Sequence, residues 1–87
     1  MLNAPIAAPT YRFDAACGAI FERTLDRYRP IGTARARILC ARLRAAAVAQ
    51  AEACPEAAAF LRAMAVDLHA ALTALRAAER PAGQARP

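Results

Sequence analysis

Proline divides this 87-residue chain into segments, at Pro5, Pro9, Pro30, Pro55, Pro81 and Pro87. Pro30 and Pro55 stand where helices can begin, because proline is tolerated at the first helical position. The stretches around the outer prolines have the composition of loops. The sequence therefore predicts an extended arm over residues 1–12, a single helical domain over 13–80 and a flexible tail over 81–87.

The composition favours helix over strand. Alanine occupies 27 positions, and all 12 basic residues are arginine. Alanine and arginine are both strong helix formers. The two long segments show no alternation of apolar and polar residues, which makes a sheet improbable. We predict an all-α fold in one domain, whose thin core favours association with another copy or a partner.

Three helical segments are predicted. The first covers residues 14–29, with Asp14 as the candidate N-cap and apolar residues at helical spacing behind it. The second begins at residue 31 or 33 and ends at 53, and the third covers 56–80. The fold is then an antiparallel helical hairpin or a three-helix bundle, depending on whether the first two segments are continuous across Pro30.

The second segment, "TARARILCARLRAAAVAQ", has two apolar faces on a helical wheel. Leu39 and Leu43 lie on one face, whereas Ile38 and Val48 lie on nearly the opposite one. Four arginines separate the faces as pairs seven residues apart, Arg35 with Arg42 and Arg37 with Arg44. The second face could be covered by the first segment, by a second copy in a homodimeric four-helix-type bundle, or by a different protein. We predict the homodimer.

The third segment carries a wide apolar stripe with heptad spacing, which is far more typical of a core than of a ligand site. Together with the second segment it predicts a core of Leu39, Leu43, Phe60, Leu61, Met64, Leu68, Leu72 and Leu75. A second heptad row, on the polar side, consists of Arg62, His69 and Arg76.

Candidate catalytic and metal-ligating residues are few. His69 is the only histidine, the chain has no serine, and Asp67 is the only acidic residue within two positions of that histidine. The three cysteines, Cys17, Cys40 and Cys54, lack the spacing of a metal site and are expected to be reduced. We predict no enzyme activity, no catalytic or metal-binding residue, and no cofactor.

Arginine is concentrated between Glu22 and Arg44, where seven arginines against two acids give +5, equal to the net charge of the whole chain. Such a region attracts phosphate backbones. The chain lacks a glycine-rich phosphate loop and a helix-turn-helix pattern, however, and an acidic protein surface would satisfy the same charges. With no signal peptide and no charge-free apolar run of membrane-spanning length, we expect a cytoplasmic protein that does not span a membrane.

The stretch "FLRAMAVDLHAALTAL" resembles the C-terminal helix of the TraM family, antiactivators of LuxR-type quorum-sensing regulators that control conjugal plasmid transfer. The matching positions are Phe60, Leu61, Val66, Asp67, Leu68, His69, Ala70, Thr73, Ala74 and Leu75. "YRPI", at residues 28–31, stands near the place of a short motif in the family's first helix. Pro30 and the ending "AERPAGQARP" depart from the family pattern. The resemblance implies two long antiparallel helices that dimerise.

The function that the resemblance implies is binding of a LuxR-type transcriptional activator, which blocks its hold on DNA and represses conjugal transfer genes. The residues expected at the partner or dimer interface are Ile38, Val48, Arg62, Asp67, His69, Thr73 and Arg76. Two alternatives stay open: a small arginine-rich nucleic-acid-binding helical protein, and an unrelated helical subunit that binds a protein partner.

Overall fold

The computed structural model describes residues 10–79, which form three strands followed by two helices. The elements are β1 (Tyr11–Asp14), β2 (Ala19–Thr24), β3 (Arg27–Ile31), α1 (Thr33–Gln50) and α2 (Pro55–Glu79). This is an α+β fold, so the predicted all-α class is wrong. Most of the expected arm and the whole expected tail lie outside the described residues, and β1 begins at Tyr11.

The strands form an antiparallel meander in the order β1-β2-β3. Phe13 pairs with Ile20, which pairs in turn with Ile31, so these side chains share one face of the sheet. Tyr11 lies on that same face, and it and Ile20 are 3% and 1% exposed. This inner face supplies the sheet's part of the core.

Residues 14–29, predicted as the first helix, instead form two turns and most of the sheet. The Asp14 carboxylate accepts a hydrogen bond from the Ala16 backbone N–H at 2.9 Å, which starts the β1–β2 turn. Gly18 completes that turn with φ +70°, and Leu25 in the β2–β3 turn has φ +58°. Neither value is compatible with a continuous right-handed helix. The helical spacing of apolar residues was therefore coincidental, because only some of them face the core.

The helical hairpin was predicted with boundaries close to those observed. Pro55 is the first residue of α2, as its position suggested. The Cys54 carbonyl accepts a hydrogen bond from the Ala58 N–H at 3.0 Å, which places Cys54 at the N-cap. Gly32 caps α1 without a side-chain hydrogen bond. The two long helices are thus confirmed, although β3 rather than a helix leads into α1.

The core lies on both sides of α2, which packs against the sheet and against α1. Of the predicted core, Leu43, Leu68, Leu72 and Leu75 are buried, and Leu39, Leu61 and Met64 are partly buried against them. Phe60 was expected there too, but it is 65% exposed. Phe60 lies on the side of α2 that faces away from the core, whereas Ala58 and Leu61 lie on the side that faces it.

A polar contact ties the start of the sheet to α2. The Thr10 backbone N–H donates to the Asp67 carboxylate at 3.1 Å. On the inner face of the sheet, the Tyr11 hydroxyl donates to the Glu22 carboxylate at 3.3 Å, and Glu22 also pairs with Arg29. The Thr10–Asp67 contact joins the sheet to α2, and the other two contacts connect the three strands to one another.

The hydropathy of α2 also meets the criterion for a membrane-spanning helix by length and composition. A helix in the core of a soluble protein meets the same criterion, and 33% of the most apolar window of α2 is buried here. Arg62, Asp67 and Arg76 interrupt its apolar sequence.

Candidate functional site

The two apolar faces of α1 have different surroundings. One face packs on α2 and buries Ala36, Cys40, Leu43 and Ala47. The other face leaves Ile38 and Val48 54% and 78% exposed. Among residues 10–79, the first segment does not cover this second face, because it forms a sheet that packs on α2. The apolar surface that sequence analysis expected to be covered is therefore open within the described chain.

Two adjoining concavities run along the hairpin between α1 and α2. One, of about 270 Å³, is lined by Arg44, Arg62, Ala65, Val66 and His69. The other, of about 340 Å³, is lined by Arg44, Ala47, Val48, Ala51 and Arg62. They share two arginines and form one groove with an apolar floor. We call this surface the hairpin groove and define it by Arg44, Val48, Arg62, Val66 and His69.

The hairpin groove combines exposed apolar side chains with positive charge. Val66 of α2 is 66% exposed in one concavity, and Val48 of α1 is 78% exposed in the other. Both are aliphatic side chains left in water, which is unfavourable until another apolar surface covers them. Among residues 10–79, no carboxylate lines either concavity. The groove therefore has an apolar concavity on each side of the place where Arg44 and Arg62 meet.

A hydrogen bond across the groove joins the two helices. Arg44 Nη2 of α1 lies 3.3 Å from His69 Nδ1 of α2, within hydrogen-bond distance. The histidine is exposed, and the only acid near it in sequence, Asp67, is bonded to Thr10 on the sheet side of α2. His69 therefore has no carboxylate to orient it for acid–base chemistry within the described chain.

The basic border continues beyond the groove toward the other end of the hairpin. Arg37 and Arg76 line a further small concavity there, which also contains Glu79. The α1 helix itself carries four arginines and no acidic residue. Positive potential therefore extends along the α1 side of the hairpin, and Glu79 lies in the concavity at its far end.

The residues predicted for an interface do not all meet at one site. Val48, Arg62 and His69 line the hairpin groove, and Arg76 continues its border. Ile38 lies on the exposed face of α1, and Thr73 is exposed on α2. Asp67 is committed to the contact with Thr10.

Two groove residues, Arg44 and Val66, were absent from the predicted interface. Val66 is an apolar residue outside the heptad stripe of α2, which is the sequence signal that could have identified it. Its proximity to Arg44 depends on how α1 rotates against α2, and a single helical wheel does not contain that information.

The basic region between residues 22 and 44 is divided by the fold. Arg23, Arg27 and Arg29 lie on the sheet, whereas the remaining four arginines lie on α1. The seven arginines therefore do not form one helical stripe for a nucleic-acid backbone.

The thiols occupy separate environments. Cys40 is buried, with its sulfur 3.8 Å from the Ala65 carbonyl oxygen, while Cys17 and Cys54 are exposed. Across residues 10–79 the structure contains no group of three or more histidine, cysteine, aspartate or glutamate side chains that could hold a metal ion. What the candidate site offers chemically is apolar contact and cationic hydrogen-bond donors.

Comparison with protein-family models, curated proteins and solved structures finds no match for this chain. Function is therefore argued from the hairpin groove itself.

Proposed function

We propose that this protein is a protein-binding module whose hairpin groove receives an acidic amphipathic helix of a partner. The observation that supports the proposal is that the exposed valines Val48 and Val66 line the groove on either side of Arg44 and Arg62, and that no acid among residues 10–79 lines it. A partner that covers the valines gains apolar burial, and its carboxylates gain cationic partners.

The shape of the groove suits a helix. Two antiparallel helices leave a long shallow channel, and an amphipathic helix lays its apolar stripe into such a channel. Apolar residues of the partner at i, i+3 and i+4 would contact Val48, Val66 and the alanine floor. Carboxylates on either side of that stripe would reach Arg44 and Arg62.

Charge selects the partner more strongly than shape does. A second copy that presented its own α1 would bring arginines against arginines, because α1 has no acidic residue. Like charges at an interface are strongly unfavourable, whereas complementary charges set partner choice and speed association. An acidic partner is therefore favoured over a copy of α1.

A finer proposal follows from the resemblance to TraM antiactivators. The partner would be a LuxR-type activator, and binding would shift it to a form that does not hold its operator. In this proposal the hairpin of α1 and α2 takes the role of the family's pair of antiparallel helices. The sheet is not part of that pattern, because the "YRPI" residues lie in β3 rather than in a helix.

The proposed groove can be tested with a designed peptide. A helical peptide with leucines at i, i+3, i+4 and i+7 flanked by glutamates should bind the full chain in calorimetry. The same peptide with lysines in place of glutamates should not. Arg44→Glu and Arg62→Glu should each weaken binding by about tenfold, since a charge pair becomes a repulsion.

Arg42→Glu is the matched control, because Arg42 is exposed on α1 and does not line the groove. It should change the affinity by less than about twofold, the effect of long-range charge alone. Equal binding of the acidic and basic peptides, or equal loss in Arg42→Glu and Arg44→Glu, would remove the hairpin groove as the site.

The finer proposal is tested by a mobility-shift titration with a LuxR-type activator from the same host, its operator and this protein. Release of the activator should abolish the shifted band without creating a new one. A band formed by this protein alone with operator duplex, in the nanomolar range at about 150 mM salt, would contradict the antiactivator proposal.

A further inference from the structure

The side of α1 that faces away from α2 forms a continuous apolar stripe. At about 100° per residue, the side chains opposite the buried ones fall within one sector of the helix. We call this surface the α1 outer face, and all of its residues are exposed: Ala34, Ile38, Ala41, Ala45, Val48 and Ala49. Ile38 and Val48 are its two large side chains, exposed by 54% and 78%.

Exposed arginines border the α1 outer face on both sides. Arg35 and Arg42 lie along one border, where they line a concavity of about 370 Å³ together with Ile38. Arg37 and Arg44 lie along the other border with the same spacing. None of the four guanidinium groups forms an ion pair with a carboxylate of residues 10–79. Their positive charge is therefore available to a ligand.

The acids nearest to this surface lie outside α1, which has no acidic residue of its own. Asp26 is in the β2–β3 turn, and Glu52 is in the turn that follows α1. Glu22, on the inner side of the sheet, is bonded to Tyr11 and paired with Arg29. The α1 outer face is thus apolar along its middle and positive along both borders.

This arrangement matches the surface of an anionic bilayer. An interfacial helix lays its apolar stripe at the boundary of headgroups and acyl chains. Arginines at its borders keep their apolar stems in that boundary and extend their charged ends to the phosphates. The backbone of a nucleic-acid duplex offers charge without an apolar layer, so it would leave Ile38 uncovered.

The outer side of α2 fits a bilayer less well. It also exposes apolar residues, of which Phe60 and Val66 are the largest. Its borders differ, however, because Arg62 lies on one side and Asp67 on the other, where the carboxylate accepts the Thr10 N–H. Anionic headgroups repel a carboxylate at the border, whereas α1 has arginines at both borders.

We propose that the α1 outer face docks the chain on an anionic membrane surface, with α1 parallel to the bilayer plane. Ile38 enters the interface, and the arginines on either side bind lipid phosphates. The opposite face of α1 stays packed on α2, so the fold does not have to open. Arg44 and Val48 also line the hairpin groove, but Ile38 and Arg42 do not. The inference therefore does not depend on the function proposed for the groove.

The test is co-sedimentation of the full chain with vesicles of phosphatidylcholine that contain about 30% phosphatidylserine. Binding should be at least about tenfold stronger than to phosphatidylcholine alone, and it should weaken as salt is added. Arg42→Gln should weaken binding about fivefold, the effect of one cation near an anionic surface. Arg12→Gln makes the same charge change on β1 and is the control, with an expected loss below about twofold.

Insertion of the apolar stripe is measured separately. The chain contains no tryptophan, so Ile38→Trp provides a single fluorophore in the α1 outer face. Its emission should shift to the blue and be quenched by brominated acyl chains when anionic vesicles are added. Phe60→Trp, at an exposed position of α2, is the matched probe and should show neither change.

Equal binding to neutral and anionic vesicles, or an equal loss in Arg42→Gln and Arg12→Gln, would overturn the proposal. So would quenching at Phe60→Trp rather than at Ile38→Trp. Displacement from vesicles by duplex DNA at equal phosphate concentration would mean that the arginines respond to charge alone, which also contradicts it. An acidic helical peptide that binds the chain, loses affinity in Arg42→Gln and finds no counterpart in vesicle binding would assign this face to a protein instead.

Discussion

Among single residues, Leu68 contributes most clearly to stability. It lies on α2 in the hydrophobic core, and its side chain is 0% exposed. Leu68→Ala should lower the free energy of unfolding by about 2–5 kcal/mol, the loss of apolar burial plus the cavity that remains. Urea denaturation followed by circular dichroism measures this. Val66→Ala on the same helix is the control, since that side chain is 66% exposed and should change stability by less than about 0.5 kcal/mol.

Tyr11 links stability to alkaline pH. Burial, with the neighbouring Glu22 carboxylate as the second cause, raises the pKa of Tyr11 from 10.0 to about 12. Between these values the unfolded chain has lost the phenolic proton and the folded chain retains it. The stabilising contribution is therefore complete below pH 10 and is lost as the pH rises through the folded pKa of about 12.

The expected result is a fall in the free energy of unfolding between pH 10 and pH 12, the window bounded by the two pKa values of Tyr11. Tyr11→Phe removes the titrating group, so its unfolding free energy should fall less over the same window. Guanidinium chloride titrations at several pH values measure both. Identical pH profiles for the two proteins would show that Tyr11 is not responsible.

Among the structural elements, the β2–β3 turn contains a strained backbone conformation. Leu25 has φ +58°, a conformation that favours glycine, and its side chain is 88% exposed. Replacing a leucine in the left-handed conformation by glycine removes about 1–2 kcal/mol of backbone strain. The greater backbone entropy of glycine in the unfolded chain costs about 0.5–1 kcal/mol in return. Leu25→Gly should therefore raise the free energy of unfolding by about 0.5–1 kcal/mol.

Asp26→Gly provides the comparison, because Asp26 does not have a positive φ. There glycine only adds freedom to the unfolded chain, so the variant should lose stability by roughly 0.5–1 kcal/mol. Thermal unfolding of the two variants side by side measures the difference. A Leu25→Gly protein that melts below the parent protein would mean that the leucine at this turn is not strained.

For the whole molecule, the homodimer remains a prediction. The arginines of α1 restrict the surfaces through which two copies can pair. Pairing through α1 would oppose arginines. The outer side of α2 instead presents exposed residues without charge at Ala59, Ala63, Ala70, Thr73 and Ala77. We expect two copies of the 9.2 kDa chain to associate there at micromolar concentration.

Sedimentation equilibrium over about 1–100 µM measures the association. Ala70→Arg should weaken it at least about tenfold, since it buries an unpaired charge. Ala41→Arg places the same change on the exposed face of α1 and should have little effect. A 9.2 kDa monomer across the whole concentration range would rule out the dimer.

Sequence analysis identified the helical hairpin because helices are specified locally. Alanine and arginine propensity, and the proline at position 55, act within a few residues of each hydrogen bond they influence. Strand pairing in the sheet joins residues farther apart than one helical turn, such as Tyr11 and Glu22, which are 11 positions apart. The alternation of Tyr11, Phe13 and Ile20 was masked by apolar residues that also fit helical spacing, so the sheet was missed.

The candidate site was also predicted only in part. Arg62 and His69 were recognised as one row because they lie on a single helix, seven residues apart. Their meeting with Arg44 and Val48 depends on the rotation of α1 against α2. The buried residues of the two helices include the small side chains Ala36 and Ala47 of α1 and Ala58 and Ala65 of α2, which allow close approach. Periodicity can show that a helix has two apolar faces, but only packing among distant residues determines which face is buried and which remains exposed.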